Sequence, residues 1–109
     1  MAMGEPGLDR HEWETAYDAL EPELAAAPSE ALPELADLVE RILEARGFQL
    51  HEPTTADGNE RDVVFEYLAA RAVSDRVERG EDVDPGDIGA AVIGLQGVYS
   101  SLVVERSTP

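Results

Sequence analysis

DPGDIGAAVIGLQGVYSSLVVER, residues 84 to 106, is the stretch on which the fold depends. Its 17 residues from Ile88 to Val104 carry no charge, although 29% of the whole chain is charged. Asp84 is a favourable helix N-cap, and Pro85 suits the first helical position. Asp87 falls in the first turn, where the helix dipole favours a negative charge. The stretch therefore predicts a buried helix that begins at Asp84.

The predicted helix has two different faces. At about 100° per residue, the larger side chains share one side, and small residues with spacing i, i+4, i+7, i+11 form a stripe on the other. The stripe consists of Ala90, Gly94, Gly97 and Ser101, and the larger face of Ile88, Val92, Leu95, Tyr99, Leu102 and Val103. Each helical glycine costs about 1 kcal/mol relative to alanine, and close approach of another helix would offset that cost. We expect a helix of this chain, or a second copy of it, to cover the stripe.

Two other interpretations of this stretch stay open. Val and Tyr favour extended structure, so Val98 to Val104 could form a strand. A membrane span is disfavoured, because the uncharged run is shorter than the usual span of about 20 residues and includes three glycines.

Upstream of this stretch, apolar residues repeat at helical spacing in three segments. The first helix is expected from Asp9, with capping-box spacing to Glu12, to a stop near Leu20 or a kink at Pro22. After a connection at Pro28 and Ser29, a second helix should run to about Arg46, with Gly47 in a left-handed C′ position. An i, i+4 ion pair is predicted between Asp37 and Arg41. The third helix is expected from Asn59, which would act as its cap, to about Gly80.

The fold class predicted is all-α, a small single-domain bundle of about four helices with the third and fourth at its centre. We expect a flexible lead-in at residues 1 to 8, the helical domain at 9 to 106 and a short tail at 107 to 109. The third helix is apolar nearly all round as far as Val73, which predicts that its first half is enclosed. The polar segment after Val73, from Ser74 to Arg79, should be exposed.

Composition limits the classes of partner. The formal charge is −16, from 24 acidic residues and 8 arginines without any lysine. Such a surface repels nucleic acid and anionic membranes and attracts basic partners. The acidity could instead be a property of the whole proteome, compatible with a salt-rich environment. Because the first ten residues lack a basic segment followed by an apolar one, we expect no secretory signal and a cytoplasmic location.

The candidate polar site lies on the third helix. Glu66 falls on a face otherwise assigned to the core, and Asp62 precedes it by one turn. Two carboxylates at this spacing repel each other, so an arginine such as Arg41 or Arg46, a cation, or simple exposure must accommodate them. His51, in the long loop that follows Gly47, could complete a metal site with them.

Motifs for catalysis are missing from the sequence. There is no cysteine, neither histidine belongs to a Glu-x-x-His pair, and no glycine-rich phosphate loop is present. We therefore expect a non-enzymatic, acidic helical interaction module that needs no cofactor and binds a protein partner, with a homodimer through the small-residue stripe as one form. The alternatives are a carboxylate-based metal or small-ligand bundle and a nucleic-acid mimic that inhibits a basic protein.

Overall fold

The computed structural model describes residues 6–48, 50 and 58–104, with side chains for 11–48, 50 and 62–103. In this part of the chain there are four helices and no strand, which confirms the all-α prediction. The helices are α1 (Pro6–Ala26), α2 (Pro28–Ala45), α3 (Gly58–Glu78) and α4 (Pro85–Tyr99), and a π-helical turn, Ser100–Val104, follows α4. The predicted lead-in lies outside the described residues except for 6 to 8, which belong to α1, and the predicted tail lies wholly outside them.

Helix α2 occupies the centre of the bundle, where it packs against α1, α3 and α4. The prediction that the third and fourth helices are central was therefore wrong for the third. Eight residues of α2 are buried, and their spacing covers more than one face: Ala31, Leu32, Leu35, Ala36, Leu38, Val39, Ile42 and Leu43. Because burying a leucine or isoleucine contributes about 1.5 to 3 kcal/mol, α2 makes a large contribution to core stabilisation.

Helix α1 begins earlier and ends later than predicted. It starts at Pro6, so Asp9 lies inside the helix and is not its cap, and it continues through Pro22 to Ala26. A proline inside a helix removes one backbone hydrogen bond. Leu20 and Leu24 are both buried, one on each side of the proline. We attribute the continuity of α1 to this burial, which anchors both halves of the helix to the same core.

Two helices end as their glycines predict. Gly47 and Gly80 have φ values of 85° and 81°, in the left-handed region that glycine adopts without strain. At the end of α2, the amide of Phe48 donates to Leu43 O and that of Gly47 to Glu44 O, each at 3.0 Å. This is the pair of hydrogen bonds of a Schellman motif, and the predicted C′ role of Gly47 is confirmed.

Helix α4 follows the sequence prediction closely. The Asp84 side chain accepts a hydrogen bond from the amide of Gly86 at 2.8 Å, and Pro85 is the first helical residue. The larger face is buried throughout, and Leu95 and Val103 are fully enclosed. Residues 98 to 104 are helical, so the strand interpretation was wrong.

Helix α3 is less enclosed than its composition suggests. Phe65 remains 48% exposed, and Ala69 and Ala72 are exposed as well, because the neighbouring helices cover only one side of α3. Ser74, expected to be solvated, is fully buried. The helix already includes Gly58, so Asn59 lies within it and is not its cap.

Candidate functional site

The small-residue stripe of α4 faces away from the core. Ala90 and Gly97 are exposed, whereas Gly94 and Ser101 are partly covered. A Cβ atom added to Gly97 would meet nothing within 4 Å. The described helices therefore do not cover the whole stripe as expected: α3 borders it, with Glu66 against Gly94, but leaves Ala90 and Gly97 exposed. Coverage by a separate molecule stays a prediction.

The stripe forms part of an open groove between α3 and α4. Its main section has a volume of about 550 Å³, and a shallower section of about 240 Å³ continues from it, sharing Glu66, Ala90 and Gly94. We call the two sections the α3–α4 groove. The remaining lining residues are Asp62, Val63, Ile93, Gly97, Val98 and Ser101 in the main section, and Ala69, Ala70, Val73, Asp87 and Ala91 in the shallower one.

Ile93 is the most exposed large apolar side chain in the described part of the chain. It is 70% exposed and lines the groove next to Gly94 and Gly97. Sequence analysis did not single it out, because it belongs to neither the small stripe nor the larger face. The only indication in the sequence is that position 93 is uncharged and lies between those two faces of the helix. Together, Ile93 and the stripe form an apolar surface that stays largely open in the described part of the chain, with Ala90, Ile93 and Gly97 all exposed.

Glu66 contributes a carboxylate to the same groove. The residue is exposed and lies against α4, where its Oε2 would be only 2.6 Å from a Cβ atom on Gly94. The apparent conflict between Glu66 and the core face is thus resolved by exposure. The absence of a side chain at position 94 provides the space in which the carboxylate lies.

The structure brings together two of the three predicted metal ligands. Asp62 and Glu66 both line the groove, whereas His51 lies outside the described residues. No group of three metal-ligating side chains occurs among the residues that are described. The arginines proposed as bridges occupy other positions: Arg46 Nη2 donates to Leu102 O at 2.7 Å, and Arg41 lines a cleft between α1 and α2.

That second cleft is larger than the main section of the groove but differs in character. It measures about 720 Å³, and its rim carries five carboxylates: Glu23, Glu34, Asp37, Glu40 and Glu44. Its larger apolar side chains, Leu20 and Leu38, are buried in the core. No large apolar side chain is therefore exposed in this cleft, whereas Ile93 is exposed in the α3–α4 groove, which makes the groove the stronger candidate for binding.

Two polar clusters outside the groove hold helices together. Arg71 of α3 donates to Asp37 Oδ1 at 2.8 Å and to Glu40 Oε1 at 2.7 Å on α2, and to Tyr67 Oη at 3.0 Å. Asp37 is therefore paired with Arg71, not with Arg41 as predicted. The two contacts with α2 join residues more than 30 positions apart, which a local pattern could not have indicated.

The second cluster is a stacked pair of tyrosines between α1 and α4. The rings of Tyr17 and Tyr99 are 4.1 Å apart and nearly parallel, at 8°. Burial, with the nearby carboxylates of Glu14 and Asp18, raises the pKa of Tyr99 to about 12. Burial also raises the pKa of Tyr17. Neither ring lines the groove, so we assign the pair a structural role.

No protein-family model, curated protein or solved structure matches this chain. Among the described residues, every helix falls short of the length or the hydrophobicity that crossing a bilayer requires. Inference about function therefore depends on the geometry of the α3–α4 groove.

Proposed function

We propose that this chain is a non-enzymatic protein-interaction module that receives a helix of a partner molecule in the α3–α4 groove. The observation that carries the proposal is the combination of Ile93, 70% exposed, with a neighbouring helical glycine, Gly97, on which an added Cβ atom would meet nothing within 4 Å. A second copy of the chain and an unrelated protein are both partners of the required kind.

The glycine is the more informative of the two residues. Gly97 weakens α4 by about 1 kcal/mol relative to alanine, and in the described part of the chain no atom lies close to where its Cβ would be, so close packing does not offset that cost. A partner helix lying over the stripe would approach closer than the usual interaxial separation of about 8 to 10 Å, because no side chain intervenes. Dispersion attraction between the two closely packed backbones would then stabilise the complex.

Ile93 supplies apolar surface to the same contact. Complete burial of an isoleucine contributes about 1.5 to 3 kcal/mol, most of which is still unrealised at 70% exposure. Ile93 thus resembles the central anchors of interfaces, where a few apolar side chains provide most of the affinity. Helix recognition in grooves uses such anchors at helical spacing.

The experiment is site-specific photocrosslinking in cells that produce the protein. A photoreactive amino acid replaces Ile93 in one variant and Ala72, an exposed residue of α3 outside the groove, in a matched control. We expect one discrete adduct from position 93, none from position 72, and loss of the adduct when Gly97→Leu is added. A homodimer would give an adduct of twice the chain mass.

Folding of the Gly97→Leu variant is checked by thermal melting. Leucine has open space at this position and is a better helix former than glycine, so the melting temperature should be unchanged or higher. Equal crosslinking from positions 93 and 72, or none from position 93, would contradict the proposed function.

A further inference from the structure

The charged groups described in the lining of the α3–α4 groove are all negative. Asp62 and Glu66 stand on the α3 side of the groove and Asp87 at the start of α4, and the described lining includes no arginine or histidine. Within the described residues none of these three carboxylates takes part in an ion pair. The groove therefore combines an apolar stripe with unpaired negative charge at its edges.

The described arginines of α3 have other partners. Arg71 is held by two carboxylates of α2, and Arg76 and Arg79 both bond to Glu81 beyond the end of α3, at 3.1 and 2.9 Å. Turning any of them toward the groove would break an existing pair. None of these described arginines is therefore available to neutralise the groove, and a partner can supply the positive charge.

A second copy of the chain is poorly suited to supply that charge. A twofold interface places the same patch on both subunits, so each groove would bring its three carboxylates to those of its mate. The chains as a whole repel as well, since each has a formal charge of −16. Like charges brought together at an interface disfavour association.

We infer that the occupant of the α3–α4 groove is a cationic amphipathic helix of a different protein. Its apolar face, rich in small residues, would lie on the stripe and Ile93, and its arginines or lysines would flank that face and meet Asp62 and Glu66. The inference depends on the proposed function, because it specifies which partner the groove accepts. Helix α4 has 15 residues, or about 22 Å at about 1.5 Å per residue, which sets the matching length at about four turns.

Fluorescence anisotropy with synthetic peptides tests the inference. One peptide of about 15 residues carries alanine and leucine on one face and arginine on both flanks, and a second has glutamate in place of every arginine. At an ionic strength of about 0.15 M, where the Debye length is about 8 Å, general attraction to distant charges is screened. We expect the arginine peptide to bind the full chain and the glutamate peptide not to bind.

Two double variants separate the groove from the rest of the acidic surface. Asp62→Asn with Glu66→Gln removes two carboxylates from the groove, and Glu34→Gln with Glu44→Gln removes two exposed carboxylates from the α1–α2 cleft. We expect the first to weaken binding about tenfold and the second less than about twofold. Gly97→Leu, which changes no charge, should also weaken binding at least about tenfold through steric exclusion.

Every other result overturns the inference. Absence of peptide binding, equal weakening by both double variants, or insensitivity to Gly97→Leu would show that the groove does not select a cationic helix. Light scattering of the chain alone provides a separate check. A dimer that Gly97→Leu dissociates would overturn the inference yet support the proposed function, whereas failure of crosslinking at Ile93 would remove both.

Discussion

Glu66 and Gly94 are in contact across the α3–α4 groove in a way that depends on the missing side chain of the glycine. A Cβ atom at position 94 would lie 2.6 Å from Glu66 Oε2 and 3.4 Å from its carboxyl carbon. A Cβ atom on Gly97, one turn later on α4, would meet nothing within 4 Å. The two glycines thus share a helix and a face but differ in one contact, which makes them a matched pair.

We predict that Gly97→Ala stabilises the chain by about 1 kcal/mol, since alanine is the better helix former and meets no obstacle. Gly94→Ala should stabilise it less, because the Glu66 side chain must first move away. In a Glu66→Ala background the two alanine substitutions should become equal, as measured by urea unfolding. A difference between positions 94 and 97 that persists without Glu66 would contradict this explanation.

For a third glycine, substitution by alanine should change the stability in the opposite direction. Gly47 has a φ of 85° and ends α2 in a Schellman motif, with open space where a Cβ atom would lie. We predict that Gly47→Ala destabilises the chain by about 1 kcal/mol, because left-handed backbone is unfavourable for alanine by about 1 to 2 kcal/mol. Urea unfolding of the Gly47 and Gly97 variants side by side checks the sign. Stabilisation by Gly47→Ala would show that the C′ conformation is not required.

The glycines and caps of these helices also show which features of the fold can be predicted from the sequence. The start of α4 at Asp84 and the stop of α2 at Gly47 were predictable, because capping and left-handed glycine are local effects. The burial of the larger face of α4 followed from its period. Whether its small stripe is covered depends on where the other helices pack, and no spacing within α4 contains that information.

Interactions between residues far apart in the chain could not be predicted from the sequence either. Asp37 has Arg41 one turn away at favourable spacing, yet it bonds to Arg71 of another helix. The continuity of α1 through Pro22 likewise depends on burial against α2, which outweighs the local cost of the proline. The α3–α4 groove was therefore only half predictable: Gly94, Gly97 and the Glu66 carboxylate were identified, but the exposure of Ile93 was not.

Arg71 should be the most consequential surface cation in the described part of the chain. It is 17% exposed and bonds to Asp37, Glu40 and Tyr67, which joins α2 to α3. We predict that Arg71→Met destabilises the chain by about 1 to 2 kcal/mol, because it leaves the buried Tyr67 and the half-buried Glu40, as well as the exposed Asp37, without their donor. Denaturant unfolding provides the measurement.

The control for this prediction is Arg79→Met. Arg79 pairs with Glu81 at 2.9 Å, but both groups are well exposed, and exposed pairs contribute at most about 1 kcal/mol. Added salt should reduce the difference between wild type and either variant, and less so for Arg71. An equal loss of stability from the two variants would mean that the contacts of Arg71 with α2 contribute nothing specific.

Alkaline pH should destabilise the fold through Tyr99. Its pKa is raised to about 12 by burial and by Glu14 and Asp18, whereas an unfolded tyrosine titrates near about 10. The folded chain therefore holds this proton more tightly. The stabilisation is fully present below pH of about 10 and is lost as pH rises to about 12, amounting to roughly 2 kcal/mol.

The measurement is urea unfolding at a series of alkaline pH values, combined with a tyrosinate absorbance titration of the folded chain. Tyr99→Phe keeps the stacked ring but removes the titrating group, so it should flatten the decline in stability. Burial also raises the pKa values of Tyr17 and Tyr67. The stability of the Tyr99→Phe variant should therefore still decrease with rising pH, but with a smaller slope. If the stability of Tyr99→Phe declines as steeply with pH as that of the wild type, groups other than Tyr99 cause the loss of stability at alkaline pH.

Ser74 offers a test of the core itself. It is fully buried on α3, and its hydroxyl has no hydrogen-bond partner among the described residues. A buried hydroxyl without a partner costs about 1 to 3 kcal/mol, whereas the methyl group of alanine carries no such penalty. We predict that Ser74→Ala stabilises the chain by about 1 kcal/mol in urea unfolding. Ser29→Ala, at a half-buried position near the start of α2, serves as the comparison. A loss of stability in Ser74→Ala would mean that the hydroxyl is satisfied, for example by an enclosed water molecule, and that α3 depends on that contact.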